Sequence, residues 1–206
     1  MKNTSYNNKG SVPLKGDQIV RLRSVIKGFR TAFYQIKDYL GDNSNVSQDT
    51  DVITTTAVSG CFTIELLLKY LYALQQYNKE KDTSRHPFGH DLAKLYSDLC
   101  KIDKKTCDEL ENKFKTSHYS YNKSLSWFLK KISKGYKDWR YSYSKGKLVL
   151  ILNTMSDVIN ILFNVSESEY IILCDDFCKP DKKSNEMKEQ FVSYEKLEDI
   201  KPNESL

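Results

Sequence analysis

The chain reads as an all-α protein, an up-and-down bundle of four to six helices, and three observations predict it. Apolar residues recur at three- and four-residue spacing in several separate stretches, the period of a helix face. One of these, residues 61–74 (CFTIELLLKYLYAL), is apolar nearly all round, the pattern of a helix surrounded by other helices. Nothing in the body of the chain alternates apolar and polar residues as a half-buried strand does.

That central stretch belongs to a helix expected over residues 50–78. Ala57, Cys61, Ile64, Leu68 and Leu71 make its stripe, and Phe62, Leu67 and Leu74 widen it. No Gly or Pro interrupts residues 61–78, and Leu-rich sequence favours the helix. Burying about eight such side chains, at roughly 1.5–3 kcal/mol each, makes this helix the hub of the core. Glu65 interrupts the stripe with Lys69 one turn on. The pair reads either as a surface ion pair or as a partly buried, hydrogen-bonded carboxylate.

The other elements follow in order. Residues 1–15 are polar, with Gly10 and Pro13, and read as a disordered lead-in. Residues 17–40 hold helical period through Ile19, Leu22, Val25 or Ile26, Phe29, Ala32 or Phe33, Ile36 and Leu40, with Gly41 as a stop. After the central helix, residues 79–89 form a charged linker that Pro87 keeps out of a helix. A short helix follows with Leu92, Leu95, Tyr96 and Leu99 on one face and Asp91 at its favourable end. Residues 104–115 predict another, with Cys107, Leu110 and Phe114 inward, and residues 123–139 a third through Leu125, Phe128, Leu129, Ile132 and Tyr136. The last convincing helix covers residues 148–163; residues 170–173 (YIIL) read as a short strand or a helix end. The expected organisation is a lead-in over 1–15, a bundle over 16–165 and an acidic, largely disordered tail over 166–206.

Composition bounds the function. At 206 residues, with 39% apolar and 29% charged residues, the chain is long enough for one domain with a real core. No signal segment opens it, and no apolar run looks long enough to cross a bilayer, so a soluble, cytoplasmic protein without a membrane partner is expected. Its five cysteines are odd in number and mostly sit in helical patterns, which favours reduced thiols over a disulfide framework. Cys174 and Cys178 lack the second ligand pair a zinc site needs, so no metal is expected. The net charge of +5 is unevenly spread: residues 1–163 hold 26 Lys or Arg against 16 Asp or Glu, while residues 164–206 hold six against eleven. A basic body with an acidic tail favours a polyanionic partner, or a tail folded over its own basic face.

Three segments in order, FTIELLLKYLYA, GHDLAKLYSDL and WRYSY before a closing helix, resemble HEPN-domain proteins, helical bundles of four or five helices. The resemblance covers residues 17–163. It implies a homodimer and a setting in bacterial defence or a toxin–antitoxin-like system. Many members of that family are metal-independent ribonucleases whose site pairs an Arg and a His, with four to six residues between them, on a late helix. His suits acid–base work near neutral pH, and Arg grips a phosphate bidentately. Here Arg85 and His90 have the spacing, but they fall in the loop before the third helix, and Pro87 lies between them. Arg140 sits late in the bundle with no His after it. His90 also reads as a packed residue at a helix start.

A second candidate comes from the residues themselves. Residues 123–147 carry Lys123, Lys130, Lys131, Lys134, Lys137, Arg140, Lys145 and Lys147 against the single acid Asp138, interleaved with Trp127, Phe128, Tyr136, Trp139, Tyr141 and Tyr143. Cations follow a phosphate backbone while aromatic faces stack unpaired bases; the bland alternative is a solvated basic face. Lys130, Lys131, Lys134, Lys137, Arg140, Tyr141 and Tyr143 are the expected RNA-binding residues. Phosphate-binding loops, Glu-x-x-His metal pairs and hydrolase signatures are absent from the sequence. The expected function is a non-cleaving, HEPN-like bundle, without cofactor, that binds RNA or a nucleotide-bearing partner. Its rivals are a metal-independent ribonuclease using Arg85 and His90, and a protein-interaction module that binds no nucleic acid.

Overall fold

The apolar run at 61–74 lies in the middle of a helix with neighbours on most sides. The structure, a computed structural model, describes residues 13–14, 16–42, 50–80, 84–85, 87, 89–117, 123–139 and 148–178. In these residues the chain forms an all-α bundle of six helices: α1 (Gly16–Asp42), α2 (Thr50–Glu80), α3 (Leu92–Ile102), α4 (Lys104–Thr116), α5 (Leu125–Trp139) and α6 (Leu148–Cys178). A two-residue antiparallel pairing joins β1 (Pro13–Leu14) to β2 (Ser84–Arg85), with Pro13 opposite Arg85. The expected lead-in therefore ends in a backbone pairing at Pro13 and Leu14, which apolar periodicity has no means of signalling.

α2 packs on α6, α1, α3 and α5, and its Ile64, Leu67, Leu68, Leu71 and Leu74 are fully buried. By length and composition Asp51–Lys79 is apolar enough to cross a membrane, contrary to the sequence reading; in the fold 56% of its most apolar window is buried. Three helices meet at Gly60, where a Cβ would come within 2.8 Å of the Phe33 ring on α1 and 3.1 Å of the Met155 sulfur on α6. A larger residue there would hold the helices apart. α1 buries Ile19, Ile26 and Phe33 but leaves Val25 and Phe29 exposed. Of the alternatives at 25/26 and 32/33, the fold thus takes Ile26 and Phe33 inward. Phe29 lies instead edge-on to Phe62 of α2, with ring centroids 4.8 Å apart.

Two expectations are corrected. First, α6 does not stop near 163 but continues to Cys178, so a boundary at 165/166 falls inside a helix. Residues 164–170 (NVSESEY) look polar, yet Val165, Ser166 and Tyr170 keep the helical spacing and are buried. Glu167 is held by the guanidinium of Arg23 at 2.7 and 2.8 Å, and that guanidinium lies 4.3 Å from the Tyr170 ring centroid. The extension takes Glu167, Glu169, Asp175 and Asp176 into α6. Beyond Cys178 only six Lys face seven Asp or Glu, a near-neutral segment with little charge to draw it onto a basic face.

Second, Cys100 and Cys107 form a disulfide between α3 and α4, with Cα atoms 5.4 Å apart, where reduced thiols were expected. The α3–α4 corner brings them together. Asp103 ends α3, and its carboxylate accepts from Lys105 N to start α4, folding a seven-residue separation back on itself.

Candidate nucleic-acid interface

α5 is built to be two-faced. Leu125, Phe128, Leu129 and Ile132 are buried, whereas Lys123, Trp127, Lys130 and Lys131 are exposed. Positions 123, 127, 130, 131 and 134 recur at four, three, one and three residues, a single helical stripe. Trp127 is 45% exposed, unusual for so large an apolar ring. The Lys123 and Lys131 ammonium groups lie 5.8 and 5.6 Å from its centroid, within the range where a cation is drawn to a ring face.

Three contacts set the pose of this helix. Ser124 Oγ accepts from Trp127 N at 3.0 Å, an N-cap. The Glu111 carboxylate on α4 accepts from Leu125 N and Ser126 N at 2.9 and 3.2 Å, placing negative charge at the positive end of the helix dipole. Further along, Ser133 Oγ donates to Asp91 Oδ1 at 3.2 Å and accepts from Leu92 N at 3.2 Å. Asp91 also caps α3 through Ala93 N and Lys94 N. The basic helix is thus fixed to the start of α3.

Beside that junction stands the second candidate. His90 follows Gly89, whose φ of +106° is a conformation that L side chains rarely adopt. This turn carries His90 back to α2, where Nδ1 lies 3.0 Å from each carboxylate oxygen of Glu65. Glu65 also accepts from Lys69 Nζ at 2.7 Å. Facing a carboxylate already paired with a cation, Nδ1 is the donor. The two partners differ sharply in exposure: the Glu65 side chain is 3% exposed and His90 73%. A buried carboxylate therefore holds a largely exposed imidazole. Of the two readings of Glu65, the buried, hydrogen-bonded one holds.

The predicted site residues divide as follows. Lys130 and Lys131 stand exposed on α5. Lys134 and Lys137 belong to the same helix, though their side chains lie outside the described residues. Arg140, Tyr141 and Tyr143 lie outside the described residues altogether. Arg85 lies in β2, opposite Pro13, with its side chain also outside them, and it shares no helix with His90. Sequence reasoning flagged Glu65 and His90 separately but not as partners, because 25 residues separate them and no local pattern joins them. The roles of Glu111 and Ser133 were likewise invisible. Four-residue spacing from Lys123 through Trp127 to Lys131 was the available signal for the exposed stack.

The fold and this face together define a six-helix bundle with a basic, aromatic helix on its surface. No protein-family model, curated protein or solved structure matches the chain.

Proposed function

We propose that this chain is a non-cleaving, HEPN-like helical protein that binds RNA or a nucleotide-bearing partner through the outer face of α5. One observation carries the reading: an exposed Trp127 flanked by Lys123 and Lys131, with Lys130 beside them. Ammonium groups neutralise phosphates, and an unpaired base displaces one of them to stack on the indole, worth roughly 1–3 kcal/mol. A single strand offers such bases, whereas a duplex keeps them stacked. The non-cleaving half of the reading is supported by Arg85 and His90 sharing no helix: Arg85 lies in a strand pairing and His90 in the turn before α3. Action as a homodimer within a defence or toxin–antitoxin-like system is what the HEPN resemblance adds.

The test is incubation of the full chain with labelled single-stranded RNA, following retardation and cleavage together. The expected result is retardation without cleavage, weakened roughly ten-fold or more by Trp127→Ala. Cleavage that disappears in His90→Ala would replace this reading with a ribonuclease. Absence of both signals would leave a protein-interaction module.

A further inference from the structure

We propose that a second copy of this chain docks on the outer face of α1, with the two α1 helices antiparallel. The interface is carried by α1 alone and is independent of the α5 reading. Among the described residues six large apolar side chains are exposed, and three of them, Val25, Phe29 and Tyr39, stand on this one helix. Val25 and Tyr39 fall on a regular seam, and Phe29 flanks it. Positions 21, 25, 28, 32, 35 and 39 recur at alternating four- and three-residue steps, the spacing of a helix that packs along a second helix. All six are exposed except Ala32, which is partly so.

Gly28 sits in the middle of that seam. Glycine weakens a helix interior, and inside the chain nothing lies within 4 Å of where its Cβ would stand. Gly60 is the contrast, since a Cβ there would meet Phe33 and Met155. The buried glycine admits neighbours from its own chain. The exposed one, with Ala32 one turn on, leaves room for a helix from outside to approach closely.

Charge sets the direction. Arg21 and Asp38 are both exposed and lie nine and eight residues to either side of position 30. In a parallel pair each would meet its own like charge. In an antiparallel pair centred on position 30, Arg21 of one copy comes beside Asp38 of the other, and two-fold symmetry makes that contact twice. The same register sets Gly28 against the second copy's Ala32, small against small, and Phe29 beside the second copy's Phe29. The face is complementary to itself, and its occupant is therefore a second copy rather than an unlike partner. α5 packs on α2, α3 and α4, and the interface uses none of its cations.

The experiment is sedimentation equilibrium of the full chain over roughly 1–100 µM. Wild type is expected to reach twice the 24.0 kDa of one chain. Gly28→Leu has open space in a single chain and none against a second helix. It should weaken association roughly ten-fold or more and leave the helical content seen by circular dichroism unchanged. Arg21→Asp should weaken it roughly three- to ten-fold, and Arg21→Asp/Asp38→Arg should restore it, a rescue that only the antiparallel register allows. A single-chain mass at every concentration overturns the proposal while the α5 reading, tested by RNA retardation, stands. A dimer indifferent to Gly28→Leu places the interface elsewhere and overturns it as well. A double variant that stays as weak as Arg21→Asp overturns the antiparallel register.

Discussion

α2 and α5 both carry polar side chains among apolar ones, yet they handle them in opposite ways. In α2, Thr56 and Thr63 donate to carbonyls one turn back on the same helix, at 2.7 and 2.8 Å. Gln75 donates to Thr106 of α4, and Glu65 accepts from Lys69 and His90. Each of these polar side chains is buried and satisfied inside the bundle, as burial demands. At α5 and its start, Lys123, Lys130 and Lys131 face solvent, while Ser133 bonds Asp91 at the start of α3. The difference separates the helix that holds the fold from a helix whose cations are left exposed.

The sharpest way to break that comparison is to damage α2. Leu68 is fully buried, and Leu68→Ala should cost about 2–5 kcal/mol from lost transfer energy plus the cavity. Urea unfolding checks this; a change under about 0.5 kcal/mol would mean that α2 is not the hub. Next comes Gly60→Val, which drives methyl groups into Phe33 and Met155 and should cost about 1–3 kcal/mol by overpacking. An unchanged melting temperature would show that α1 and α6 can move apart freely there.

Glu169 on α6 sharpens the contrast through pH. Burial chiefly raises its carboxyl pKa, the Gln75 hydrogen bond pulls it back, Asp103 and Glu109 push it further up, and Lys105 lowers it. The folded state therefore holds this proton more tightly than the unfolded chain. Its stabilising effect is complete below the unfolded carboxyl range, about pH 4.3, and is lost as pH rises through the folded value. Glu169→Gln should accordingly gain on wild type in urea midpoint between about pH 4 and about pH 7. An offset independent of pH would contradict this. The smallest effect belongs to α5: Lys130→Ala/Lys131→Ala should leave stability within about 0.5 kcal/mol, read by the same unfolding curves.

What the sequence made legible follows from the range of each signal. The six helices and the inward residues of α3 and α4 were readable because helical periodicity is local. Val25 and Phe29 were overread, since an apolar stripe wider than its partners leaves some members outside. α6 was cut short because NVSESEY was judged by polarity, whereas its fate was decided by Arg23 on α1, 144 residues from Glu167. The Cys100–Cys107 bond depends on a corner made by Asp103, and the Glu65–His90 pair on a turn at Gly89. Both are tertiary facts with only residue types to announce them. The basic stretch of α5 was legible as composition, and its helical period already set Phe128 on the inward stripe and Trp127 off it.

The central claim is that α5 binds a polyanion by direct lysine contacts. Its most direct test is the salt dependence of RNA binding, wild type against Lys130→Ala/Lys131→Ala. For a single strand each neutralised phosphate contributes roughly 0.7 to the slope of log affinity on log salt. The account predicts that the double variant loses about 1.4 from that slope while remaining as stable as wild type. An unchanged slope, with binding otherwise intact, would move the interface off α5 and contradict the account.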